Sequence, residues 1–344
     1  SYINMNMTYN DITSNTAGNN GGCMSFDDNI EINIINNIIK NNTASISGGV
    51  IYANHSSRMP NLIDSQVLYN TALNGNCGAF CTSLSIIRKC NIEYNVAHKN
   101  GGFAYSLKSF YAMIDILDTR MISNNAIHGS GGGIWIHNLS LSNGLLLNVM
   151  SSIFNDNTAG IHGGIMYIND NNIDIRISNS SMVSNKALLG DGGCISSRSY
   201  INMNMTYNDI TSNTAGNNGG CMSFDDNINI QMYSNTFNNN IASVSGGVGY
   251  FGNAILLESN KSLFHNNSCL VGNGGVFNAG MHVIMHLHNS SINENKAYEG
   301  DGGFSHSLSN ISMTIKNNTI FTSNMAGANG GCMSYDDNVN IAID

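Results

Sequence analysis

An apolar residue, two variable residues and an asparagine recur twelve times along the 344 residues of this chain, each time with a small residue two places further on. The asparagines are Asn15, Asn42, Asn70, Asn95, Asn124, Asn157, Asn185, Asn213, Asn240, Asn267, Asn295 and Asn324, and Ile, Val, Met or Phe stands three positions before each. The small residue is Ala in every copy but one, where Cys269 takes its place. A Gly pair follows four or five residues later, varied once as Cys77-Gly78. The mean spacing is about 28 residues. Periods of that length mark a solenoid, in which each unit buries its apolar side only by stacking on its neighbours.

Within a repeat the pattern has period two. Ile228, Ile230 and Met232 alternate with Asn229, Gln231 and Tyr233, and the same alternation runs through Tyr2–Tyr9, Ile173–Ser178 and Ile311–Lys316. Alternation reads as strand, and no stretch carries a sustained helical period. Each repeat has room for three short strands, so the expected fold is an all-β, right-handed, single-stranded parallel β-helix of about 12 rungs. The Gly pair suits a bend that L-residues avoid, and the Ala suits a crowded corner. An amide carries both a donor and an acceptor, so the recurrent Asn can bond to its own turn and to the equivalent Asn one rung away, forming a ladder. A rung cannot stand alone. Half a dozen inward aliphatic side chains contribute roughly 1.5–3 kcal/mol each, while ordering each residue costs about 1–2 kcal/mol.

Composition narrows the function. Charged residues make up 10% of the chain, the net charge is −9, and the 13 basic residues are scattered, which excludes a phosphate-binding footprint and a nucleic-acid partner. No apolar run reaches the 18 or more residues that span a bilayer. The repeats run from one end to the other, so the expectation is one continuous solenoid over 1–344, a segment of a longer chain because it starts without Met inside a rung. Residues 1–30 and 199–228 are identical, and Thr322–Asn338 is a near copy of the corresponding stretch. Such an array without polar capping units exposes strand edges that template further stacking.

The residues with chemistry are few. Cys23, Cys194, Cys221 and Cys332 fall two places after the first Gly of their rungs and read as small buried hydrophobes; Cys194 and Cys221 lie on adjacent rungs. Cys81 and Cys90, nine residues apart, are the candidate disulfide of an oxidising compartment. Asn54, Asn138, Asn260 and Asn310 stand in Asn-x-Ser/Thr sequons, candidate glycosylation sites in a secreted protein, at a frequency that composition alone produces. The paired carboxylates Asp27-Asp28, Asp225-Asp226 and Asp336-Asp337 occupy one repeat position, where Asp-Asp-Asn is an ordinary turn sequence. They lie rungs apart, whereas glycoside hydrolysis needs two carboxyls within about 5–10 Å. His286 and His288 share one outer face, enough to begin a zinc or nickel site but without an evident third ligand. No cofactor is expected.

The tetrapeptide with an apolar residue three places before Asn, at Phe154, Phe237, Phe264 and Phe321 in its aromatic form, together with Gly-Gly and a following apolar residue, resembles the repeats of chlamydial polymorphic outer membrane proteins. Those repeats are written FxxN and GGA followed by Ile, Leu or Val; here Cys, Val, Phe or Ile usually follows the Gly pair. The resemblance implies a β-helical, surface-exposed passenger domain without catalysis. The expected function is therefore an extracellular or cell-surface structural repeat protein, part of a fibre, stalk or filament, whose partner is a second copy stacked end to end. A surface adhesin taking host or matrix glycans or proteins is the alternative, with binding loops at the irregular insertions around Pro60 and Asn138. A β-helix polysaccharide lyase or hydrolase is the third reading.

Overall fold

The computed structural model describes residues 3–27, 30–53, 58–108, 112–138, 144–169 and 172–344. These contain strands and turns and no helix, and every strand pairing is parallel. The chain is a parallel β-solenoid of about 11 turns with a repeat of about 28 residues. It forms two compact units, Ser1–Asp170 and Asn171–Asp344.

Three sheets line each unit. In the first unit the second sheet stacks Asp11–Thr13, Ile38–Lys40, Gln66–Leu68, Asn91–Glu93, Arg120–Ile122 and Ile153–Asn155 in that order. In the second unit it stacks Ser181–Val183, Asp209–Thr211, Thr236–Asn238, Leu263–His265, Ser291–Asn293 and Ile320–Thr322. The third sheet is built from two-residue strands such as Thr43–Ala44 and Ile241–Ala242. Register follows the repeat: Ile39, Val67, Ile92, Met121 and Phe154 fall on one inward line and are fully buried. A one-residue slip would turn that line outward, so burial fixes the register.

The first sheet differs between the units. In the second unit, after the six-residue strand Ile173–Ser178, it is built mainly of twelve-residue strands such as Met222–Tyr233, Gly249–Asn260 and Phe277–His288. Each contains a residue with left-handed backbone, namely Tyr200, Asn227, Ala254, His282 or Asn310 in successive strands, with φ of 55–61°. The bend is repeated in every rung, so the strands stay paired around it. In the first unit the same face is made of two shorter strands per rung, for example Ala104–Lys108 and Ala112–Leu117. The sequence insertions fall between them.

The Gly pair does two jobs. The first Gly takes the left-handed region, with φ of 61–71° across eleven rungs. The second is required by packing: a Cβ added at Gly247 would collide with the carbonyl of Gly275 on the next rung and lie 2.6 Å from the Ser268 nitrogen. Gly18, in contrast, has open space around its missing Cβ. Gly247→Ala should therefore cost more than about 3 kcal/mol, whereas Gly18→Ala should stay within about 0.5 kcal/mol. Urea unfolding midpoints of the two variants test this.

Candidate functional site

The side chains that dominate this structure sit at its corners. Where the chain turns from one sheet to the next, the carbonyl that would have paired with a corner N–H is carried away, and a buried N–H needs another acceptor. The recurrent asparagine supplies it. Asn42 N–H donates to Asn70 Oδ1 at 3.0 Å, Asn42 Nδ2 donates to the same oxygen at 2.9 Å, and it also donates to the Ile12 carbonyl at 2.9 Å. Backbone N–H to Oδ1 bonds of this kind link Asn15, Asn42, Asn70, Asn95, Asn124 and Asn157 in the first unit. They link Asn185, Asn213, Asn240, Asn267, Asn295 and Asn324 in the second. The residue before each asparagine, from Ser14 and Asn41 through Glu294 and Ser323, has φ between 53° and 58° except Asn266 at 49°. One left-handed residue makes the corner, and the asparagine after it points inward.

Two further ladders escaped the sequence reading. Five residues before each asparagine, a second corner uses Asn37, Ser65, Cys90, Thr119 and Ser152 in the first unit and Asn208, Asn235, Ser262 and Ser290 in the second. Asn37 N–H donates to Ser65 Oγ at 3.1 Å, Thr119 N–H to Ser152 Oγ at 3.2 Å, and Asn208 N–H to Asn235 Oδ1 at 3.0 Å. At the third corner the residue before the Gly pair does the same work. Asn76 N–H donates to Ser47 Oγ at 3.0 Å, Asn100 N–H to Asn76 Oδ1 at 3.1 Å, and Asp301 N–H to Asn273 Oδ1 at 2.8 Å. The signal in the sequence was fixed spacing with variable identity: amide, hydroxyl and carboxylate all offer an acceptor.

The third ladder runs the other way. Its donors come from the later rung, whereas in the first two they come from the earlier one. The left-handed residue at every corner breaks the alternation of N–H direction along the strand: it and the residue after it both donate forward, as Gly48 does to Asn76 and Gly49 to Cys77, while the residue before it donates backward. At two corners the ladder residue follows the left-handed one; at the third it precedes it. Opposite polarity results.

This geometry corrects the expected disulfide. Cys81 is bonded to Cys77, with Cα atoms 5.4 Å apart, and Cys90 is a free buried thiol. Cys77 holds the left-handed slot that Gly fills in other rungs, with φ of 63°, so its side chain lies against the strand that begins at Phe80. Cys90 instead occupies the second corner ladder. Its Sγ lies 3.2 Å from the Arg88 carbonyl and 3.3 Å from the Leu62 carbonyl, the positions the hydroxyls of its ladder neighbours take. Cys194 and Cys221 are buried, on adjacent rungs, and Cys23 and Cys332 are partly exposed. Burial pushes the Cys90 thiol up to about 11 and the Cys269 thiol up to about 12.

The other sequence candidates are dispersed. Asp226 accepts the N–H of Asn253 at 2.7 Å and its amide at 3.0 Å, fixing the bend of the next strand. Asp336 lies 3.5 Å from buried His306, and Asp337 accepts the N–H of Asn338. Asp28 lies outside the described residues. His286 stands in register between Glu258 and Thr314, and His288 between Asn260 and Lys316. Among the described residues no three His, Cys, Asp or Glu side chains are grouped to hold a metal. Of the sequon asparagines, Asn310 is exposed at a strand bend and Asn260 is half-buried, its Ser262 turned into the second ladder. Asn138 ends the strand Ile134–Asn138, and Asn54 lies outside the described residues.

Two predictions follow from the corners. Asn240→Ala removes the acceptor for Asn213 inside a buried ladder and should cost more than about 2 kcal/mol, whereas Asn240→Ser keeps an acceptor and should cost less; chemical denaturation of both measures it. The raised thiols set a pH limit. The folded state holds these protons more tightly than the unfolded chain, so their contribution is intact below the ordinary value of 9.0 and is lost as pH rises toward 12. The urea midpoint should fall over that window, and by less in Cys269→Ala. No protein-family model, no curated protein and no solved structure matches this chain.

Proposed function

We propose that this chain is an extracellular or cell-surface structural module, a segment of a β-helical fibre or stalk that acts without catalysis and stacks end to end with further copies. The observation that carries this reading is the three corner ladders. The corner side chains of each rung are committed to neighbouring rungs, so cohesion runs along the stack and rigidity grows with every rung added. The carboxylates that would have served a lyase or hydrolase are occupied at bends: Asp226 holds Asn253 and Asp337 holds Asn338. The Cys77–Cys81 disulfide fits an oxidising compartment. The resemblance of the repeats to those of surface passenger domains points the same way. Among the described residues no helix is long and apolar enough to cross a membrane.

An adhesin is the second reading, favoured by a row of exposed apolar residues at the turns of the second unit. Leu189 is 79% exposed and Val271 59%, positions that a lateral partner would cover. Electron microscopy of the purified 344-residue chain separates the two. Continuous rods with an axial repeat of about 4.8 Å support the fibre; isolated short particles that capture host proteins or glycans overturn it in favour of the adhesin. Asp226→Asn should leave any filament morphology unchanged and lower only the melting temperature, by a few degrees.

A further inference from the structure

The outward side chains of the long sheet in the second unit form columns, one residue per rung. Asp174, Asn202 and Asn229 share a column, and there each side chain bonds to its neighbour in the column. Asn202 Nδ2 donates to Asp174 Oδ1 at 2.8 Å and Asn229 Nδ2 to Asn202 Oδ1 at 3.1 Å. In the first unit Asn6, Asn33 and Asn61 zip in the same way. Two residues further along the second unit's strands the column reads Asn204, Gln231, Glu258 and His286. Their side chains make no hydrogen bond or ion pair among the described residues. The next column, Thr206, Tyr233, Asn260 and His288, borders them, and a groove of about 230 Å³ runs between the two.

One rim of the groove is held in place. Lys261 Nζ donates to the Tyr233 hydroxyl at 3.0 Å and sits 5.3 Å from its ring centroid, and Tyr207 packs edge-on against the same ring at 5.5 Å. The hydrogen bond and charge of Lys261 lower the pKa of the Tyr233 hydroxyl. Opposite stands Glu258, the single carboxylate of the groove.

The occupant follows from what the groove offers. Backbone donors and acceptors of this sheet are consumed in its ladders, so an added peptide strand has nothing to pair with on this face. A polyanion finds one carboxylate, the nearest lysine is already engaged with Tyr233, and the one arginine of the column, Arg176, which pairs in register with Asn204, does not line the groove. Amides that both donate and accept, a carboxylate able to take two hydroxyls, and a fixed aromatic ring suit a neutral, hydroxyl-rich chain. We propose that this groove binds a neutral oligosaccharide, with Asn204, Gln231, Glu258 and Asn260 hydrogen-bonding its hydroxyls and the Tyr233 ring lying against a C–H face of one sugar. The site binds without cleaving, because hydrolysis of a glycoside uses two carboxyl groups. The groove is open and shallow, so the dissociation constant falls between about 10 μM and about 1 mM. This proposal stands whether or not the chain assembles into fibres.

Titration calorimetry of the 344-residue chain with hexasaccharides of glucose, mannose, galactose and N-acetylglucosamine tests it, with a hyaluronan hexasaccharide as the acidic comparison. At least one neutral hexasaccharide should bind. Glu258→Gln and Tyr233→Ala should each weaken it at least about tenfold, while Asn61→Ala, on the outer face of the first unit, should change nothing. Both groove positions are on the surface, and unchanged melting curves of the variants show that folding is preserved. Lys261→Ala frees the tyrosine without removing it and should weaken binding by a smaller factor. Absence of binding by every neutral hexasaccharide up to about 5 mM, binding of the acidic sugar alone, or binding insensitive to both Glu258→Gln and Tyr233→Ala overturns the proposal. Filaments without sugar binding would leave the structural reading standing and remove this one.

Discussion

Every rung of this solenoid depends on a side-chain acceptor reaching a backbone N–H of an adjacent rung at a corner. Sheets satisfy their own backbone wherever strands run straight, but a closed triangular coil must turn three times per rung. Each turn strands at least one buried donor, and an unmade bond there costs about 1–3 kcal/mol. Stacking identical corners solves all of them at once, because the acceptor of one rung serves its neighbour. The left-handed residue is the companion requirement. It turns the chain in a single step and aims the ladder residue inward, and at two of the three corners it is a non-glycine residue such as Tyr69, Asn41 or Lys89.

Two properties of the molecule grow from this arrangement. Nearly all inward polar groups are neutral, so the core carries amides, hydroxyls and thiols instead of ion pairs, and the low charge of the chain is compatible with stability. The ladders also tolerate substitution by any acceptor of suitable length, which is how Cys90 enters a row of Asn, Ser and Thr without a disulfide partner. Where acceptors cannot help, tolerance ends: the second Gly of pairs such as those ending at Gly22, Gly49, Gly247 and Gly303 lies against the backbone of the next rung, and no side chain fits.

The outer surface follows another logic. Columns of outward residues either bond along the column, as Asp174, Asn202 and Asn229 do, or leave their polar groups to solvent, as Asn204, Gln231 and Glu258 do. Sequence drift on this face is free of the packing that fixes the interior, so recognition can arise here with no cost to the stack.

The sequence by itself determined the period, the strands, the absence of helix and the positions of the first ladder. Each rests on a local regularity, whether apolar alternation or an invariant Asn at fixed spacing. Tertiary structure alone decided the rest. The second and third ladders select an acceptor of a given reach instead of one residue type, so Ser65, Cys90, Thr119 and Asn273 share roles that their letters conceal. The partner of Cys81 depended on a left-handed slot that only the fold reveals, and Cys77 fills it. The groove beside Tyr233 joins residues from four rungs, brought to one face by strand register, a relation that distance along the chain does not encode.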